Sequence, residues 1–165
     1  MRIVVDTREK PRAIVRILKT FETEGVDIVR RALPFGDYCD PDRPGIVIDR
    51  KQNLLEVAGN LVQQRARFLR EVDRANRAGW QLVVLVEHSN RIKCLEDVIR
   101  WNNPRLKVSP LAVDGPRLFR IMHAMGNTYG FRWEFCDKVH TGKKIIELLE
   151  DGHERERGQG LRAGL

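Results

Sequence analysis

The sequence predicts an α/β sandwich built around a mixed central sheet, and three observations carry that prediction. A dense turn cluster, Asp40-Pro41-Asp42-Arg43-Pro44-Gly45, separates two short apolar runs and folds them into an antiparallel hairpin. The run Leu82-Val83-Val84-Leu85-Val86 is apolar throughout, as expected of a central strand covered on both faces. Stripes at helical period alternate with the remaining strand-like runs, which makes strand–helix–strand units after the hairpin.

Taken in order, Arg2 to Val5 is β-branched and closes on Asp6, a buried strand ending in an acid. Pro11 suits the first turn of a helix, Ile14, Ile17, Leu18 and Phe21 recur at helical spacing, and Gly25 stops the run. Residues 26–33 form a second strand, Pro34-Phe35-Gly36 a turn, and Asp37-Tyr38-Cys39 the first arm of the hairpin. Its second arm is Ile46-Val47-Ile48-Asp49-Arg50-Lys51. Leu54, Ala58, Leu61, Phe68, Val72 and Ala75 then mark one long helix closed by Gly79. That helix carries Arg65, Arg67, Arg70 and Arg74, which read as a solvated face or as a track for phosphates. Gln64, between Leu61 and Phe68, is expected to point inward and to need partners for its amide, in the core or among acidic side chains. Glu87 ends the central strand. A short helix over 95–101 is broken at Asn102-Asn103-Pro104, and further helices are expected over 116–129 and from Thr141, with a strand at 131–135 between them. The domain therefore covers 1–150, and the charged, glycine-rich segment 151–165 is expected to be a disordered tail.

With 165 residues, 42% of them hydrophobic and 32% charged, the chain suits one globular domain with a highly charged surface. No run approaches the roughly 20 apolar residues that span a bilayer, so no membrane partner is expected and an intracellular, cytoplasmic setting is the default. Cys39, Cys94 and Cys136 are too few and too scattered for a disulfide framework, and they pair with no histidine at zinc-site spacing. The net charge of +7, rich in arginine, favours a polyanionic partner such as nucleic acid.

Three acids fall at related places in this plan: Asp6 ends the first strand, Asp37 opens the hairpin and Asp49 lies late in its second arm. Lys51 stands two residues beyond Asp49, so strand alternation sends both side chains to the same face. A carboxylate and an ammonium side by side in a sheet are costly to desolvate. A divalent cation resolves the difficulty, because Mg²⁺ takes hard oxygen ligands and needs only a few carboxylates beside water and phosphate. Lys51 could then orient an attacking water or offset charge on the phosphate.

Val5-Asp6-Thr7-Arg8-Glu9, then Gly36-Asp37-Tyr38, then Ile48-Asp49-Arg50-Lys51, together resemble the nuclease domain of the XPF-type structure-specific endonucleases. The resemblance runs over roughly 1–150 and also resembles small stand-alone, phage-type versions around Trp101-Asn102-Asn103-Pro104-Arg105-Leu106-Lys107 and Ser109-Pro110. It implies a restriction-endonuclease-like α/β/α sandwich and dependence on Mg²⁺ or Mn²⁺. It also implies Asp6, Asp37 and Asp49 as metal ligands, Lys51 as the catalytic cation, and Arg8, with Glu9, beside the scissile phosphate. Glu9 reads equally as half of a surface ion pair. Two positions depart from the family pattern. A glutamate is replaced by Asp49, one methylene shorter, and a later aspartate by Leu55, with Glu56 next to it.

The expected function is therefore metal-dependent hydrolysis of DNA phosphodiesters, in branched or flap DNA, of the kind used in repair or recombination. A Holliday-junction resolvase or restriction-like nuclease, and a catalytically silent DNA-binding or scaffold subunit, are the rival expectations. Larger relatives add a tandem helix-hairpin-helix module, which this sequence does not contain. A homodimer or a separate DNA-binding partner is the expected substitute, in the nucleoid or, for a phage-like protein, the host cytoplasm.

Overall fold

The computed structural model describes residues 1–88 and 91–160, with side chains through Asp151. Its strands are Arg2–Val5 (β1), Asp27–Arg30 (β2), Tyr38–Cys39 (β3), Ile46–Lys51 (β4), Gln81–Glu87 (β5) and Arg132–Cys136 (β6), joined in one sheet in the order β2-β1-β3-β4-β5-β6. Only β3 runs against its neighbours: β1–β3 and β3–β4 are antiparallel, while β1–β2, β4–β5 and β5–β6 are parallel. So β1, β4 and β5 point the same way, and their carboxyl ends bring Asp6, Lys51 and Glu87 to one end of the sheet.

Alternation along each strand splits the apolar side chains between two layers. Ile3, Val5, Tyr38, Ile48, Val83 and Leu85 pack with Ile17 and Phe21 of helix Val15–Thr23 (α1) and Ile145 and Leu148 of helix Thr141–Gly160 (α5). Val4, Val47, Leu82, Val84 and Val86 face the opposite layer. There they meet Leu54 of Leu54–Ala58 (α2), Phe68 and Val72 of Arg65–Arg77 (α3), and Leu118 and Met122 of Gly115–Tyr129 (α4). Each fully buried Val, Leu or Ile stabilises this sandwich by about 1.5–3 kcal/mol. The expected α/β/α plan is present, and no helix among the described residues is long and apolar enough to cross a membrane.

The structure departs from the sequence reading in several places. The long helix expected from Leu54 to Gly79 is interrupted by a π-helical turn at Gly59–Gln63, closed by the Gln64 amide donating to the Gly59 carbonyl at 3.0 Å. The wider turn shifts the phase between Leu61 and Phe68. Both remain buried, but Gln64, where the helix breaks, is exposed rather than buried. The second strand stops at Arg30 rather than 33, because the chain there turns to place the Leu33 amide on Asp6. The short helix expected over 95–101 is present as a 3₁₀ helix at 96–100, and a second 3₁₀ turn that was not expected follows at 104–107. Helix α5 continues to Gly160, through the first part of the segment expected to be disordered, where Glu and Arg are intrinsically good helix formers. The rest of that expectation, 161–165, lies outside the described residues.

Gly36 fixes the approach to the hairpin. Its φ of +64° is left-handed, and a Cβ there would lie 2.4 Å from Val47 Cγ2 and 3.1 Å from the Ile48 carbonyl oxygen. Gly79 has a similar φ of +76° with nothing within 4 Å of a built Cβ. Gly79→Ala is expected to cost about 1–3 kcal/mol from left-handed strain alone, and Gly36→Ala roughly twice that because overpacking adds to the strain. Urea denaturation of the two variants checks the difference, and equal midpoints would remove Gly36 from its packing role.

Candidate active site

The β3–β4 register pairs Tyr38 with Ile48 and Cys39 with Val47, so the next rung places Asp37 opposite Asp49. Both have the side-chain parity of Cys39 and Val47 and therefore look toward the α2–α3 layer. The backbone holds this rung tightly: the Asp37 amide donates to the Ile48 carbonyl at 2.7 Å, and the Arg50 amide donates to Asp37 Oδ2 at 2.8 Å. Lys51 Nζ donates to Asp49 Oδ1 at 2.8 Å, while Asp49 Oδ2 is buried and has no hydrogen-bond partner. These side chains line a polar cavity of about 320 Å³, closed on its far side by Glu56, Gln64, Arg67 and Glu71 of the interrupted helix.

Acidic and basic side chains crowd this cavity. Burial, then the charges of Asp49 and Glu9, push the Asp37 carboxyl well above its ordinary value, only partly opposed by the Arg50 amide and by Lys51. Burial alone would lower Lys51, but the Asp49 charge and hydrogen bond outweigh it, so its ammonium titrates above the usual lysine range. One ammonium thus serves two apposed carboxylates.

A second network, whose Glu9 and Arg50 also line the cavity, ties the surrounding elements together. Arg50 alternates to the other face of β4, where Nη2 and Nε reach Glu9 at 2.7 and 3.2 Å and Nη1 lies 3.2 Å from Glu87. Thr141 Oγ1 donates to the same Glu87 carboxylate at 2.9 Å. The chain of contacts ties the loop after β1, β4, β5 and the start of α5 together. Burial lowers the Arg50 guanidinium, yet the Glu9 hydrogen bonds and the surrounding negative charge raise it overall. Glu9 is therefore neither a surface acid nor free to meet substrate through both oxygens. Arg50 and Glu71 had no role in the sequence reading. Parity could have found Arg50, since it must face away from Asp49 and Lys51, and the register Arg50↔Leu85 puts Glu87 on that same face.

Asp6 has a different employment from the one expected. It is completely buried and is not among the residues lining the cavity. Its Oδ1 accepts from the Arg8 amide at 2.6 Å and from Arg8 Nε at 2.8 Å, and its Oδ2 from the Leu33 amide at 2.6 Å and Arg8 Nη2 at 3.0 Å. Burial raises this carboxyl, but these donors win and hold it below its usual value. Asp6 thus aims Arg8, whose exposed guanidinium borders the cavity. Of the three carboxylates expected together, only Asp37 and Asp49 line the cavity. Among the described residues no group of three or more His, Cys, Asp or Glu side chains is placed to hold a metal ion. Glu56 does turn toward the cavity, with Oε2 accepting the Gln52 amide at 2.8 Å, whereas Leu55 lines the opposite side of α2. Of the helix arginines, Arg67 reaches the cavity and Arg74 donates to the Pro34 carbonyl at 3.1 Å.

The ERCC4 domain matches residues 5–115, which contain every candidate residue named above except Thr141. No curated protein matches the chain. Among solved structures it is similar to XPF from Aeropyrum pernix, with a TM-score of 0.59 and 23% identity over 91% of this chain and 60% of that one. It is similar also to XPF from Aeropyrum pernix in complex with DNA, with a TM-score of 0.64 and 24% identity over 93% of this chain and 66% of that one. At this identity the likeness is one of fold, and the chain spans less than two thirds of either neighbour.

Two outcomes follow from the electrostatics. Arg50→Met strands Glu9 and Glu87 and is expected to destabilise by about 3–5 kcal/mol in urea denaturation; a loss below about 1 kcal/mol would show that the network is not buried. Asp37→Asn should stabilise the metal-free protein at neutral pH. Folding raises the Asp37 carboxyl above its ordinary value of 3.8, so its stabilising protonated form is fully present only below that value and is lost as pH rises through the raised value. The stability gap between variant and parent should therefore widen with pH across that window and then level off, as thermal melts in EDTA would record. A gap that narrows with rising pH contradicts the assignment.

Proposed function

The chain belongs to the ERCC4-domain family, and from that premise we propose that it is a metal-dependent endonuclease hydrolysing DNA phosphodiester bonds, with branched or flap DNA as its substrate. The observation that carries the reading is the rung of Asp37 and Asp49, with one buried oxygen of Asp49 unpartnered and the other on Lys51. An orphaned, desolvated carboxylate oxygen beside a carboxyl of raised affinity for protons is a site short of positive charge.

A hard divalent cation, Mg²⁺ or Mn²⁺, fits that deficit, with Asp37 and Asp49 as the residues that would hold it and phosphate and water completing its needs. When bound, such an ion lowers the pKa of a coordinated water and offsets charge on the phosphoryl oxygens. The chain's own groups do the rest. Lys51 stays an ammonium at neutral pH, so it serves as a fixed cation for the phosphate rather than as a base. Arg8, pinned by Asp6, and Arg67 present exposed guanidinium groups at the cavity mouth, suited to receive the flanking phosphates. The Glu9–Arg50–Glu87 network holds β4 so that Asp49 and Lys51 keep their separation. An intracellular homodimer, or association with a separate DNA-binding protein, would supply further grip on a branched substrate.

A catalytically silent DNA-binding subunit is the second reading, favoured by the engagement of Asp6 and by Leu55, which leave two carboxylates on the rung. Labelled flap, fork, junction and linear DNAs incubated with Mg²⁺ or EDTA separate the readings. Cleavage of the branched substrates in Mg²⁺, abolished by EDTA and reduced about 100-fold or more in Asp49→Asn and Lys51→Ala with folding retained, is the expected result. Binding without cleavage supports the silent subunit, and cleavage by the variants at the parent's rate defeats the site assignment.

A further inference from the structure

The segment after β5 carries a motif that the cavity does not use, Asn103-Pro104-Arg105-Leu106-Lys107-Val108-Ser109-Pro110-Leu111. It is firmly built. Asn103 is buried, donating through Nδ2 to the Val113 carbonyl at 2.7 Å and accepting the Arg105 amide on Oδ1 at 2.9 Å. The Ser109 amide closes on the Arg105 carbonyl at 2.8 Å, and the Ala112 amide on Ser109 at 3.0 Å. Yet this fixed loop holds Val108 84% and Leu111 91% exposed, and Val62 of the π-helical turn, across from them, is 51% exposed. Together they border a groove of about 210 Å³ between the loop and the interrupted helix. Rigid backbone presenting bare aliphatic side chains at one place marks an interaction surface.

Charge selects the occupant. No acidic residue lines the groove, Arg105 does, Lys107 stands beside it, and the nearby Asp114 is occupied in capping α4 through the Arg117 amide. A second copy seated here across a two-fold axis would bring Arg105 and Lys107 toward their own duplicates, a repulsive arrangement. A strand of nucleic acid meets both requirements, with bases against the apolar walls and phosphates toward the cations. Position agrees: α2 and its π turn send Glu56 and Asn60 into the polar cavity and Leu55 and Val62 into this groove. One helix diameter, about 10–12 Å, separates the two, a span of about three nucleotides.

We propose that the groove between the 103–113 loop and the π-helical turn binds unpaired single-stranded DNA, capturing the strand a few nucleotides from the bond that is cut. The proposal rests on the nuclease reading only for its partner being DNA. Fluorescence anisotropy in EDTA, with a labelled oligothymidylate and a blunt duplex of equal length, scores binding without cleavage. The Val108→Ser/Leu111→Ser double variant changes only exposed side chains and should melt as the parent does. It is expected to lose about ten-fold in affinity for the oligothymidylate and nothing for the duplex. Arg105→Ala should reduce the salt dependence of oligothymidylate binding by about one phosphate contact. Unchanged oligothymidylate affinity in the double variant would overturn the proposal, as would conversion of a dimeric parent to a monomer with DNA affinity intact. A parent that binds the oligothymidylate through the groove but cuts nothing in Mg²⁺ defeats the nuclease reading and leaves the groove standing. A parent that cuts while the double variant binds unchanged does the reverse.

Discussion

The structure depends on one unfavourable contact: two carboxylates facing each other across a two-stranded ladder with a single ammonium between them. Asp37 is held beside the Asp49 strand by one backbone bond, its amide to the Ile48 carbonyl, and by one bond through its side chain, the Arg50 amide to Oδ2. Burial, and then the like charge of Asp49, raise the Asp37 carboxyl, so the pocket disfavours both groups being ionised. Something outside the contact must hold it closed.

What holds it closed lies on the opposite side of the same strand. Arg50, between Asp49 and Lys51 in sequence, is turned by the pleat into a buried network with Glu9 and Glu87, and Thr141 adds a hydrogen bond to Glu87. Each face thus sets two carboxylates against one side-chain cation, but Glu9 and Glu87 are both held by Arg50, whereas Asp49 Oδ2 has no hydrogen-bond partner. The same division appears in the loop after β1, where Asp6 is consumed in orienting Arg8 and fixing the Leu33 amide, and so stiffens the rim without joining the rung. Gly36 belongs to this scaffold as well, since a side chain there would collide with Val47 before the hairpin could close.

Much of this was legible in the sequence because it follows from period-two alternation. The Asp49-x-Lys51 spacing placed two side chains on one face, the turn cluster at 40–45 placed Asp37 opposite that strand, and the apolar run 82–86 identified the central strand. The misreadings have physical causes. Asp6 carries no mark that separates a ligand from an acceptor of backbone amides, because its donors, at Arg8 and Leu33, come from a loop conformation that pattern does not encode. Gln64 reaches the cavity of Asp37 and Asp49, one of its two expected surroundings, but it is exposed rather than buried because the helix breaks at Gln64 itself, between the π turn and α3. The roles of Arg50 and Glu87 needed only the register Arg50↔Leu85, which sequence alone does not supply.

That π turn links the two halves of the site. Leu55 and Glu56 of regular α2 already border the groove and the polar cavity, and the π turn extends both borders. By admitting one extra residue at Gly59–Gln63, the helix sends Asn60 and Gln64 toward the carboxylates and leaves Val62 facing the 103–113 loop. Such turns cost hydrogen-bond geometry and persist where they reorient side chains. Here the wider turn is closed by the Gln64 amide on Gly59, and Asn60 Nδ2 donates to the Glu56 carbonyl at 2.8 Å, so the irregularity is satisfied within the helix and does not depend on a ligand. The two surfaces are therefore preorganised relative to one another, and a nucleic-acid strand lying over α2 would meet the groove and the carboxylate rung at a separation set by the backbone rather than by flexible side chains.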